Sequence, residues 1–256
     1  MKQMKIFLVA VMTVVMGVSV TSCMKGENNT IQSVSGIITL VNTFPYQFQV
    51  ENSNVIFEAS TMTVPGLSND ASSGDIVLLQ SQYDTEKQPV DNNTKKIIVD
   101  VAAAIKLNGN TASVTNDVTP NRTIIPLRNY GVEPYLYSAN WIIIPMPFYV
   151  EKSEKESSHM FYLVYDKAHS DNNANTMVLR LRHVSSEDVK SETSVRQTYK
   201  AFNIKNVVSA FEGEQLKSIK IITQEQKGNS PEIAEGSTDT YTEQTYVIND
   251  YNKFVK

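Results

Sequence analysis

The chain has 256 residues, 23 basic and 27 acidic side chains, a formal net charge of −4, 41% hydrophobic residues and one cysteine. That balance argues against a nucleic-acid partner, whose footprint needs clustered lysine and arginine. A lone cysteine excludes an internal disulfide and a cysteine-rich metal site, and the length suits one large β domain or two small ones.

Residues 1–22 form the first predicted element. Lys2 and Lys5 precede an apolar run over 6–20, interrupted only by Thr13, Gly17 and Ser19, and small residues then lead to Cys23. A basic start, a short apolar stretch and a small-residue cleavage site describe a secretory signal. The run is shorter than the roughly 20 apolar residues that a spanning helix needs. Val20-Thr21-Ser22-Cys23 resembles the lipobox of bacterial lipoproteins, in which the thiol is lipidated and becomes the new N-terminus. The alternative is a plain signal with an incidental cysteine. Removal of residues 1–22 leaves 21 bases against 27 acids, a formal charge of −6. Residues 23–33 then read as a lipidated tether. Lipid chains add about 0.8 kcal/mol per buried CH₂, so a multiply acylated Cys23 implies a stable membrane anchor. Met24, rather than an aspartate, follows the cysteine and favours the outer over the inner membrane.

Short strands are predicted next. Residues 34–41 (VSGIITLV), 46–50 (YQFQV), 55–59, 76–83 (IVLLQSQY) and 95–107 (KKIIVDVAAAIKL) alternate or run apolar between turn residues. The last of these reads as a strand that bends, because Ile97-Ile98-Val99 is β-branched and no helix cap precedes it cleanly. Five strands over 34–107 fit a small OB-like barrel. Residues 108–120 (NGNTASVTNDVTP) read as a linker. In 121–256 the strands are longer: 141–150, 159–165, 177–183, 201–208, 219–223 and 240–248, a β-sandwich rhythm. Pro145 and Pro147 place the strand at 141–150 at a sheet edge or on a bulge. Residues 185–199 read as a helix or a long loop. The fold class expected is all-β, an OB-like barrel followed by a β-sandwich.

Together with the lipobox, Tyr135-Leu136, His159-x-x-x-Leu163-Val164, Leu179-x-Leu181-Arg182-His183 with Asp188 following, and Phe202-Asn203-Ile204 resemble the NigD-like lipoproteins. Tyr137 and Val184 stand where that family tends to have asparagine. The resemblance implies an N-terminal OB-like domain and a C-terminal β-sandwich behind a lipoprotein signal. It implies no settled activity; bacteriocin immunity comes with the family's name only.

Few side chains suggest chemistry. His159 and His183 lie at strand ends that meet if the strands pair antiparallel. With Glu187 or Asp188 they would offer a set suited to Zn²⁺, but the spacing lacks any dense metal motif, and backbone-bonded structural histidines are the expectation. Tyr130, Tyr135, Tyr137 and Trp141 form an aromatic cluster that would stack a sugar or anchor a protein if exposed, or fill the core if buried. The core is expected for Trp141. Arg180 and Arg182 share one strand face, which reads as solvated. No G-x-S-x-G elbow and no phosphate-cradling glycine loop occurs. The reading is therefore a membrane-anchored cell-envelope module that binds a protein or a glycan, with no catalysis, cofactor or metal. Its candidate residues are Cys23 for lipidation and Tyr135, Tyr137, Trp141, His159 and His183 for binding. The alternatives are a bacteriocin immunity protein and a metal-dependent or glycan-active enzyme.

Overall fold

The structure is a computed structural model describing residues 30–115, 117–150, 157–186, 194–228, 231–233 and 239–254. Cys23, the expected signal and residues 23–29 of the tether lie outside the described residues. Two compact units divide at Asn108 and Gly109. Each is described by itself.

In the first unit, β1 (Ile31–Thr43), β2 (Tyr46–Gln49), β3 (Ile56–Ala59), β4 (Ile76–Asp84) and β5 (Lys96–Lys106) close a barrel in the order β1-β2-β3-β5-β4. β1 begins at Ile31, so the last three residues of the expected tether are strand. One long strand serves two neighbours at two places. β1 pairs with β4 through residues 31–39 and with β2 through 39–43. β5 runs parallel to β3 through 96–99 and antiparallel to β4 from Asp100 onward, with a bulge at Ala102. The strand predicted to bend has its irregularity there, at Ala102 rather than in the β-branched run, and the order with its parallel β3–β5 pair is that of an OB fold. Alternate side chains, among them Val34, Ile38, Leu40, Phe48, Phe57, Leu79, Ile97 and Val99, fill the interior. Each such aliphatic or aromatic burial stabilises by roughly 1.5–3 kcal/mol.

The second unit comprises β6 (Asn110–Thr111), β7 (Tyr135–Ser138), β8 (Trp141–Val150), β9 (His159–Tyr165), β10 (Thr176–Ser185), β11 (Ser194–Asn203), helical turn α1 (Lys205–Ser209), β12 (Ser218–Gln226) and β13 (Tyr241–Ile248). They form two sheets, β6-β11-β8-β7 and β13-β12-β10-β9. Ile142, Ile144, Met146 and Phe148 of β8 face Met177, Leu179 and Leu181 of β10 and Ile219 and Ile221 of β12 across one core.

Four sequence expectations need correction. First, the linker expected over 108–120 is woven into the fold. The Asn108 side chain donates to Asp75 at 2.8 Å and accepts from the Ile76 N–H at 3.0 Å within the barrel unit. Asn110–Thr111 pairs parallel with β11, and Ser113 bonds to β9 through the Leu163 carbonyl and the Tyr165 N–H. Residues 121–125 then insert where β10 and β12 separate. The Arg122 N–H donates to the His183 carbonyl, while Ile124 accepts from Gln226 and donates to Gln224. The polar residues at the start of the stretch bond through their backbone, while Ile124 and Ile125 at its end are buried.

Second, β8 is not an edge strand, since β11 and β7 flank it. Its prolines are tolerated because β7 pairs only as far as Ile143. The Pro147 carbonyl accepts from the Ile125 N–H, so its imide nitrogen faces that same side, away from the ladder with β11. Third, within the helix or loop expected over 185–199, residues 194–199 belong to β11, and 187–193 lie outside the described residues. Fourth, the strand expected over 201–208 ends at Asn203, and Lys205–Ser209 turns into a helix.

Candidate functional site

β9 and β10 pair antiparallel with His159 opposite Ser185 and Phe161 opposite His183. Both histidines therefore point to the inner face, two residues apart along the ladder. Their rings meet, with His159 Nδ1 2.9 Å from His183 Nε2 and His183 Nδ1 2.9 Å from the Thr123 carbonyl. A carbonyl only accepts, so His183 carries its proton on Nδ1. Burial is the main force holding His183 neutral, with a pKa pushed down to about 3. His159 and Arg122 nearby act in the same direction, against the opposing effect of the Thr123 bond. A neutral His183 accepts at Nε2, so His159 donates from Nδ1. Phe161 stacks on His183 with ring centroids 4.3 Å apart, and Phe148 touches both imidazoles.

The strand ends thus bring the two histidines together as the sequence suggested. With both His183 nitrogens committed to protein partners, the pair works as a tie between β9, β10 and the inserted segment. Glu187 and Asp188 lie outside the described residues. Among the described residues no group of three or more His, Cys, Asp or Glu side chains is placed to hold a metal.

The aromatic cluster does not form an open platform. Tyr137 is buried at a bulge between β7 and β8. Tyr135 is half-buried, and its phenol is pushed up mainly by burial and then by Tyr199 and Tyr137. Trp141, expected in the core, is half-buried at the start of β8 and lies outside the core cluster. Of the four, Tyr130 alone is exposed. Nor is the arginine face solvated as expected. Arg180 is largely covered and pairs with Asp166 at 2.6 Å and Glu243 at 2.5 Å. Arg182 keeps its Nε buried with no hydrogen-bond partner among the described residues.

A polar cleft at one end of the sandwich is a feature that the strand reading missed. Inward positions on β12 run Ile219, Ile221, Thr223, Glu225, and their partners on β13 run Ile248, Tyr246, Gln244, Thr242. Both columns change from apolar to polar toward the same end. There the core gives way to a cleft of about 370 Å³, lined by Pro126, Arg128, Asn129, Glu225, Gln226, Lys227, Gly228, Thr242 and Gln244. A short 3-10 turn, Leu127–Tyr130, forms the opposite wall. Glu225 lies deepest, 2% exposed. One of its oxygens, Oε1, accepts from Tyr246 Oη at 2.6 Å and from Thr223 Oγ1 at 3.1 Å. Burial, and then the bond to Glu225, raise the Tyr246 phenol well above its usual range, which keeps it a donor. Oε2 of Glu225 takes no hydrogen bond among the described residues, and Oε1 of Gln226 is buried without a partner. At the exposed rim, the Arg128 guanidinium makes no hydrogen bond or ion pair among the described residues. The sequence signal was the switch of one face of a strand from Ile to Thr and Glu, which looks like the end of the strand when read alone.

Residues 138–234 match the family model for the NigD-like C-terminal beta sandwich domain. Among solved structures, a candidate lipoprotein from Bacteroides fragilis is similar with a TM-score of 0.66 and 18% identity, over 85% of this chain and 98% of that one. A protein of unknown function from Bacteroides vulgatus follows with a TM-score of 0.54 and 11% identity, over 85% and 90%. A NigD-like immunity protein from Bacteroides caccae has a TM-score of 0.52 and 15% identity, over 87% and 99%. No curated protein matches the chain. Among the described residues no helix is long and apolar enough to cross a membrane. The segment 138–234 is thus a NigD-like C-terminal β-sandwich domain, preceded in the chain by a five-stranded closed barrel, as the resemblance in the sequence implied.

Proposed function

We propose that this protein is a lipid-anchored module of the cell envelope that binds a partner or ligand without transforming it. The observation that carries this reading is the cleft at the end of the sandwich. Native cores rarely spend inward strand positions on polar groups, and such departures cluster at functional sites. Its lining holds one carboxylate and no histidine, cysteine or serine. Hydrolysis of a glycosidic bond uses two carboxylates, and covalent catalysis uses a nucleophile beside a base. That inventory supports binding over turnover. Anchoring is supported by Val20-Thr21-Ser22-Cys23 at the end of a short apolar run and by similarity to the Bacteroides fragilis protein. Met24 after the cysteine favours the outer membrane. An immunity protein would share this anchor and fold and differ in its partner alone.

The test is retrieval of the native protein from membranes with whatever accompanies it. A protein or glycan that co-purifies with wild type, and not with a variant carrying Arg128→Ala and Gln244→Ala, supports the reading. A bacteriocin as that partner would establish immunity instead. Equal retrieval by both forms would remove the cleft from the account.

A further inference from the structure

Resting on that reading, we infer that the cleft between the 3-10 turn and the β12–β13 hairpin is a saccharide subsite. Its chemistry rules out other ligands one by one. An apolar ligand would find Pro126 as the one apolar side chain in the lining, whereas pockets for such ligands are mostly apolar. A divalent cation needs six or more oxygen ligands, usually with several carboxylates, and a single one is present. A phosphate pushed to the floor would meet the Glu225 carboxylate, and an ammonium group entering from outside would meet Arg128 and Lys227 at the rim.

What remains is a ligand rich in hydroxyls. One acceptor deep in the cleft, Glu225 Oε2, takes no hydrogen bond among the described residues, whereas Gln226, next along β12, projects its side chain to the other face. A hydroxyl on a sugar ring supplies the donor for Glu225 Oε2. The lining also offers donors of its own in the Gln244 and Asn129 amides, the Thr242 hydroxyl and the Arg128 guanidinium. Sugar hydroxyls and ring oxygens accept from these. Tyr246 and Thr223, bonded to Oε1, fix the Glu225 carboxylate so that its other oxygen is aimed rather than mobile. About 370 Å³ has room for one or two sugar rings. Arg128, whose planar guanidinium has no hydrogen bond or ion pair among the described residues, is placed to read a carboxylate if the sugar is a uronic acid.

Saturation-transfer NMR on the purified full-length protein in detergent tests this. The probes are maltose, cellobiose, lactose, chitobiose and digalacturonate, each with wild type, Glu225→Gln, Arg128→Ala and Gln244→Ala. Arg128 is exposed and makes no hydrogen bond or ion pair among the described residues, so its variant should keep the wild-type melting temperature and report binding alone. The expected result is transfer from at least one sugar, with affinity lowered tenfold or more in Arg128→Ala and Glu225→Gln. A preference for digalacturonate that disappears in Arg128→Ala would identify the acidic class, and a preference for neutral sugars would identify the other. Absence of transfer from all five overturns the saccharide assignment. The wider binding reading would still stand if retrieval from membranes yields a cleft-dependent protein. Transfer that is equal in all variants places sugar binding elsewhere and overturns the site.

Discussion

Acidification should destabilise the sandwich through His183. In the fold this imidazole has a pKa of about 3, against an ordinary value of 6.5. A group whose folded pKa is depressed leaves stability intact above the unfolded value and removes it as pH falls toward the folded one. The unfolded chain takes up a proton near pH 6.5 and the folded chain does not, so stability should fall by about 1.4 kcal/mol per pH unit below that point. From pH 6.5 to 4.5 the loss is about 2 kcal/mol, and continued to pH 3 it reaches about 4 kcal/mol, since titration is only half complete at pH 6.5 in the unfolded chain and at pH 3 in the folded one. Domains commonly have only about 5–15 kcal/mol in total. Acidic side chains in ion pairs lose stability in the same direction, so the histidine must be isolated by comparison with His183→Gln. Trp141 is the single tryptophan of the chain and lies in β8, so its fluorescence during urea unfolding follows the sandwich unit. At pH 7.5 the variant should be less stable by roughly 1–3 kcal/mol, the cost of disturbing a buried hydrogen-bonded group. Below pH 6.5 its stability should decline less steeply than that of wild type, by the slope of one proton. Parallel curves for the two proteins would refute the neutral, buried His183 and with it the tautomer chain to Thr123.

Other outcomes follow from individual contacts. Cys23→Ala should abolish incorporation of labelled fatty acid and move the protein out of the membrane fraction; wild type that incorporates no label would end the lipoprotein reading. Early fragments of limited proteolysis should spare 110–125, because backbone bonds tie that stretch to β9, β10, β11 and β12; a first cut there would contradict the woven segment. Gly213→Ala should lower the melting temperature, since the new Cβ would lie 2.3 Å from the Phe211 ring and 2.7 Å from the Ala174 carbonyl. Forced overpacking of this kind costs about 1–3 kcal/mol, and an unchanged transition would show that the loop gives way freely. Arg180→Ala leaves Asp166 without its 2.6 Å partner and should cost at least about 1 kcal/mol in urea unfolding.

The parts of the molecule governed by apolar periodicity were legible in the sequence. Phe48 in YQFQV and the β-branched run at 97–99 placed barrel strands because one face of each must be buried. The His159–His183 meeting was legible as well, from strand ends and an assumed antiparallel pair. Segments held by backbone bonds rather than by buried side chains were not. Residues 108–120 looked like a linker because polar residues suit both a solvated loop and a segment paired through its backbone. Pro145 and Pro147 suggested an edge because the early end of β7, which frees that side of β8, is a tertiary fact. The burial of Arg180 depends on Asp166 and Glu243, 14 and 63 residues away in sequence. Glu225 escaped notice for a related reason. Among 27 acids, one that faces inward at the end of a sandwich is distinguished by register with β13, and register between distant strands is not written in either strand alone.

Hydrogen exchange of the purified protein, followed by mass spectrometry with and without fractionated envelope material, most directly tests whether the sandwich cleft is a binding site. The account predicts slowed exchange in 126–129, 225–228 and 242–244, lost in the form carrying Arg128→Ala and Gln244→Ala. Protection confined to the strands around Tyr135 and Trp141, or no protection with any fraction, would contradict it.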